Sequence, residues 1–111
     1  MKPKTLSDTW NRIIQLNDNF FPGWRNEELI YWTNALAGEV GELCNTAKHI
    51  RGGGTHKISG PTLRRKERKE IADTFIYLAL LCESEGIMME DFIKEVEKVN
   101  RLNIRRMKGR Q

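Results

Sequence analysis

The run FIYLALLC over residues 75–82 carries no charge in eight positions, and it continues a helical pattern whose first half is densely charged. A helix that is apolar nearly all round must be enclosed on several sides, by the rest of its own bundle or by a second subunit. The rest of the chain supplies partners of the same kind. Helix formers dominate, and no segment alternates apolar and polar residues for long enough to make a sheet. The expected fold is therefore all-α, a compact four-helix arrangement in a single domain spanning residues 1–111.

Local signals place the four helices. The first is expected from Ser7, with Asp8 in its first turn, to about Asn17, with Trp10, Ile13, Ile14 and Leu16 as its apolar stripe. The stretch NDNFFPGW (17–24) reads as a turn broken at Pro22-Gly23. The second helix is expected from Glu27 to Arg51, with Leu29, Trp32, Leu36, Val40, Leu43, Ala47 and Ile50 spaced by threes and fours. RGGGTHKISGP (51–61) reads as a mobile loop. The third helix follows Pro61-Thr62 and runs to about Glu85, with Gly86 as its stop. The fourth runs from Met89 to about Met107 with Phe92, Ile93, Val96, Val99 and Leu102 facing inward.

A chain of 111 residues with 39% hydrophobic content is lean for a domain that folds alone, so association with further copies would help. No apolar run approaches the roughly 20 residues that span a bilayer, and the amino terminus lacks the apolar middle of a secretion signal. Cys44 and Cys82 stand in apolar helical patterns without zinc spacing, which suits reduced core thiols in a cytoplasmic protein. The net charge of +4 and pI near 9.3 favour anionic partners. Bases concentrate in RRKERK (64–69) and in the tail after Asn100, while the acids stand elsewhere and partly in pairs.

Those pairs carry the chemistry. ALAGEVGEL (35–43) holds two glycines and two glutamates inside a helix otherwise patterned for a core. Each helical glycine costs about 1 kcal/mol relative to alanine. Close approach of a neighbouring helix would explain Gly38 and Gly41 but not the acids. Glu39 and Glu42, three apart, leave the same side of the helix. Glu70 and Asp73 repeat the arrangement on the third helix. If the two helices pack antiparallel, four carboxylates converge on a small volume, and like charges at such range repel by kilocalories at intermediate dielectric. Protonation relieves this, and a hard divalent cation such as Mg²⁺ or Mn²⁺ relieves it better. The plain alternative is two solvated acidic faces.

GEVGEL followed by EIADTFIYL resembles the MazG-type, all-α nucleoside triphosphate pyrophosphohydrolases, whose hallmark is Glu-x-x-Glu on one helix and Glu-x-x-Asp on the next. The resemblance runs from about Trp32 to Arg106. It implies that Glu39, Glu42, Glu70 and Asp73 bind Mg²⁺ (or Mn²⁺) and carry catalysis, cleaving a triphosphate to the monophosphate and pyrophosphate. It also implies a homodimer or a tetramer of two dimers. One position departs from the pattern: an acid that some branches carry directly before the first glutamate is Gly38 here.

Further positions carry over residue by residue. Tyr77 lies one turn beyond Asp73, where similar dCTP-type members place a tyrosine near the nucleotide; otherwise it is a half-buried core residue. KVNRLNIRRM resembles the family's carboxyl-terminal Asn and basic signature, which makes Asn100, Asn103 and Arg106 candidates for substrate binding. Their alternative is a solvated helix end whose cations suit the negative pole of the dipole. Trp24 and Trp32, with Phe20 and Phe21 behind them, are candidates to stack on a base or simply core. His49 could face the nucleotide, and His56 sits in the glycine-rich loop. Two rivals stand beside this reading: a nucleic-acid-binding helical module using the basic cluster and tail, and a purely structural oligomerisation bundle. The acid quartet and the lack of helix-turn-helix punctuation argue against nucleic acid as a partner, and the lack of a spanning apolar run argues against the membrane.

Overall fold

The structure, a computed structural model, describes residues 4–52 and 60–110. Helix α1 spans Leu6–Phe20. Its cap is Thr5 rather than Ser7. The Thr5 hydroxyl accepts the Asp8 N–H at 3.0 Å while the Asp8 carboxylate accepts the Thr5 N–H at 3.3 Å. This reciprocal box satisfies two amide donors and fixes the start at Leu6, one residue before the expected Ser7. The helix continues past Asn17 to Phe20, and the break falls at Gly23, whose φ of +90° suits glycine. A 3₁₀ turn at Trp24–Asn26 leads into α2, Leu29–Arg51.

Helix α3 spans Gly60–Ser84 and so begins before Pro61-Thr62 rather than after it. Proline is tolerated there because the first turn of a helix has no intrahelical use for its N–H. Of the expected loop, residues 53–59 lie outside the described residues, and His56 with them. Gly86 ends α3 as expected. It takes φ +75°, and Ile87 and Gly86 donate their N–H groups to the carbonyls of Cys82 (2.8 Å) and Glu83 (3.0 Å). Helix α4 spans Met89–Gly109. Four helices in a single domain, with no strand among the described residues, match the expected class.

Helix α3 is the centre of the assembly. Helix α2 packs along it, and α1, α4 and the 3₁₀ turn each rest against it. The direction of α2 and α3 follows from reach. Residues 52–59 extend to about 30 Å at most, whereas α2, with 23 residues, is about 34 Å long. A parallel return cannot be bridged, so the two helices run antiparallel. Rings confirm the register at one end, where Trp32 and Tyr77 lie 6.4 Å apart.

Aromatic side chains make the core. Trp10 is fully buried, donates its indole N–H to Glu83 at 2.9 Å, and meets Phe75 edge-on (6.1 Å) and Phe92 (5.5 Å). One residue thereby joins α1, α3 and α4. FIYLALLC is enclosed as its composition requires, with Ala79, Leu80 and Cys82 buried and the rest half-buried.

Other expectations fail. On α2 only Trp32 of the apolar stripe is buried, with Leu36, Leu43 and Ile50 half-buried and Leu29, Val40 and Ala47 exposed. Leu16 is exposed, and so is Cys44, which is not a core thiol. On α4, Phe92 is half-buried, but Ile93, Val96, Val99 and Leu102 are exposed, because no other helix of this chain runs beside them. Among the described residues no helix is long and apolar enough to cross a membrane.

Close packing does not explain the glycines of α2 either. A Cβ added at Gly38 or Gly41 would meet nothing within 4 Å. Their helix-weakening backbone is therefore not repaid by local contact. Gly38→Ala and Gly41→Ala should each stabilise the protein by about 1 kcal/mol, read as a rise in the urea midpoint at constant slope. Destabilisation by either substitution would mean that a partner not seen in the single chain occupies the space.

Candidate active site

The four acids are brought together. Antiparallel packing sets Glu39 and Glu42 on α2 opposite Glu70 and Asp73 on α3. The electrostatics of Glu39 report the convergence: its carboxyl is pushed above the ordinary value by burial, then by the negative charges of Asp73, Glu42 and Glu70, against an opposing pull from Lys69. Glu70 is 2% exposed. Both of its carboxyl oxygens, and Oε2 of Glu39, are buried without a hydrogen-bond partner among the described residues. Buried carboxyl oxygens are nearly always paired, so three orphans on two facing helices require an explanation.

Asp73 has a partner. Lys69, one turn back on α3, donates to its carboxylate at 2.7 Å. The hydrogen bond and charge of Asp73, followed by the charges of Glu39 and Glu42, hold the ammonium above its ordinary pKa. Lys69 is thus the cation that the cluster holds in this state. As the side chains stand, no three acidic, histidine or cysteine groups among the described residues are close enough to enclose one metal ion. The donor set nevertheless fits a hard divalent ion: it offers only carboxyl oxygens, three of them orphaned, and the one competing cation is on an exposed, flexible side chain.

Asp73 also borders a cleft of about 540 Å³, a volume ordinary for a small-molecule site. Its walls are largely aromatic. Phe21, Trp24, Tyr31, Trp32 and Tyr77 line it, with Asn17 and Glu27 as polar members. The rings brace one another: Trp24 and Trp32 meet edge-on at 5.9 Å, and Tyr31 meets Trp32 at 4.9 Å. Trp24 is further fixed by its indole N–H, which donates to Asp18 at 2.8 Å. The Arg25 guanidinium lies 4.4 Å above the Trp24 ring and also pairs with Asp18. These two hydrogen bonds, the Trp24 one foremost, hold the Asp18 carboxyl below its ordinary pKa.

The expected site residues therefore divide. Glu39 lies within electrostatic reach of Glu42, Glu70 and Asp73, and Tyr77 lines the cleft with Trp24, Trp32 and Asp73. Phe20 does not line the cleft, whereas Phe21 does. Asn100, Asn103 and Arg106 lie on the exposed half of α4, and none borders the cleft. His49 is half-buried and outside it. The basic cluster is partly spent locally, with Arg64 on Glu67 and Arg65 on Thr62. Asn17, Glu27, Tyr31 and Lys69 were not singled out by sequence reasoning. Only Lys69 left a signal there, its four-residue spacing to Asp73. Comparisons with protein-family models, with curated proteins and with solved structures give no match.

Two substitutions test the strain in the cluster. Glu70→Met removes an unpaired buried carboxyl at similar volume and should stabilise the metal-free protein by about 1–3 kcal/mol. Glu39→Gln should also stabilise it at neutral pH. A carboxyl whose pKa is raised by folding weakens the fold above that pKa and does so no longer below the unfolded value. The advantage of Glu39→Gln should therefore shrink as pH falls and vanish below the ordinary glutamate value of 4.5. Urea melts from neutral to acid pH measure both. Parallel curves for wild type and Glu39→Gln would show that the carboxylates do not interact.

Proposed function

We propose that the protein is a Mg²⁺-dependent nucleoside triphosphate pyrophosphohydrolase that cleaves a (d)NTP to the (d)NMP and pyrophosphate, acting in upkeep of the nucleotide pool. One observation carries the reading: Asp73 lies within electrostatic reach of Glu39, whose carboxyl is partly orphaned, and also in the wall of the aromatic cleft. A ligand lying in the cleft has its flat, apolar end among tryptophan and tyrosine rings and its other end at the acids. A nucleoside triphosphate has that polarity. The resemblance of GEVGEL and EIADTFIYL to MazG-type enzymes supports the same class.

Four carboxylates repel a triphosphate unless cations lie between them. Glu39, Glu42, Glu70 and Asp73 would hold Mg²⁺, with Mn²⁺ as an alternative. Bound there, the ion supplies neutralisation of the phosphate oxygens and acidification of water for attack. The chain's own part is placement. The rigid α2–α3 pair fixes the acids, Trp24 and Trp32 fix the nucleoside end, and the α-phosphorus comes to rest near Asp73. Water oxygen bonds to the α-phosphorus as the bridging oxygen leaves with pyrophosphate. No side chain stands at Gly38 to take the water's proton, so it passes to one of the four carboxylates or to solvent.

The resemblance around GEVGEL and Tyr77 supports a broad or pyrimidine-leaning triphosphate specificity, and the working form in this reading is a homodimer or homotetramer in the cytoplasm. A pyrophosphate-release screen across natural and modified triphosphates with Mg²⁺ tests the proposal. Glu42→Ala and Asp73→Ala should each lower turnover by on the order of 100-fold or more, the scale of losing one electrostatic stabiliser, while circular dichroism stays unchanged. Full activity in both variants, or no pyrophosphate from any triphosphate, would reject it.

A further inference from the structure

Helix α4 is anomalous in this fold. It has 21 residues and none is buried. Only its first turn is tied to the core, through Met89 and Phe92. Beyond Phe92 every residue to Arg110 is exposed, including Val96 at 43%, Val99 at 45% and Leu102 at 42%. Phe92, Val96 and Val99 follow at spacings of four and three, so the stripe that begins on Trp10 continues past the end of the bundle. A long helix with an apolar stripe is ordinarily covered along its length, and none of the described residues covers this one.

Charge identifies the occupant. Residues 90–97 contain four acids and one base, whereas residues 98–110 contain six bases and no acid. The change of sign falls beside Val99, the midpoint of Met89–Gly109. Such a helix complements itself in one orientation only. Set antiparallel to an identical helix about a two-fold axis, its acidic half meets the other's basic half twice over. Set parallel, like halves meet and repel. Among the described residues α4 has one internal ion pair, Glu97–Arg101 at 4.0 Å, so most of these charges are uncommitted within the chain. Antiparallel pairing also opposes the two helix dipoles, and it gives a closed, self-complementary contact that cannot grow into a filament.

We infer that α4 is a homodimerisation helix, pairing with α4 of a second copy antiparallel about a two-fold axis near Val99. The acidic half of each copy lies along the basic half of the other, over an apolar seam centred on Val96 and Val99. This assigns a surface and an orientation to the homo-oligomer of the proposed function, and it does not rest on the catalytic reading.

The test uses the full chain. Sedimentation velocity from micromolar to hundreds of micromolar should show a monomer–dimer equilibrium. Glu90→Lys/Glu95→Lys/Glu97→Lys should be monomeric over the same range with unchanged helical circular dichroism, since all three side chains are exposed. The complementary variant Lys98→Glu/Arg101→Glu/Arg105→Glu should be monomeric alone and form a dimer when mixed with the first. Spin labels on Lys108→Cys, in a Cys44→Ser background, should then lie about 27 Å apart along the paired helices, two spans of nine residues, whereas a parallel pair brings them within about 10 Å. A wild type that stays monomeric overturns the inference. So does a dimer untouched by the charge reversals, the short label distance, or a chain that assembles only when RNA or DNA is added.

Discussion

Three carboxyl oxygens, two from Glu70 and one from Glu39, are withdrawn from water where α2 packs on α3, with no hydrogen bond among the described residues to replace it. Removing such groups from water without partners is among the costlier arrangements a small domain can carry. The surrounding structure is organised to tolerate it. Trp10 draws α1, α3 and α4 together, and the braced rings of Trp24, Tyr31, Trp32 and Tyr77 stiffen the end of the α2–α3 pair next to Asp73. Lys69 supplies one exposed positive charge where the cluster reaches solvent. Stability is thus set aside at one place, as is common where a site must bind something charged.

Glycine and acid belong to the same arrangement. Gly38 and Gly41 open space beside Glu39 and Glu42 rather than admitting a helix. An open approach to carboxylates is useful only if something comes to them. On the proposed reading a cation-bound polyphosphate is what comes, with its nucleoside end in the aromatic cleft that Asp73 borders.

Much of this was legible in the sequence. Spacing alone put Glu39 with Glu42 and Glu70 with Asp73, and antiparallel packing of the two helices was the condition on which the pairs would face each other. Gly86 and the enclosed run at 75–82 were equally readable. What failed did so for physical reasons. A period of three and four shows that a helix has an apolar face but not what covers it, so the bare stripe of α4 looked the same as a core stripe. Cys44 sits in an apolar pattern yet is exposed because α2 lies on α3 along one side only. Thr5 outcompeted Ser7 because a cap is chosen by which hydroxyl meets the free amides, here with Asp8 returning the bond. The cleft was least visible. It joins Asn17 to Tyr77 across sixty positions of sequence, and only the register of three elements makes them neighbours.

On the proposed reading the defining feature of the site is a cation held between two helices, and anomalous diffraction from crystals grown with Mn²⁺ observes it directly. The expected result is a manganese peak at bonding distance from carboxyl oxygens of both α2 and α3, Glu70 and Asp73 among them, with the Lys69 ammonium displaced from Asp73. Well-ordered crystals with no peak between those helices, and with Lys69 still seated on Asp73, would contradict it.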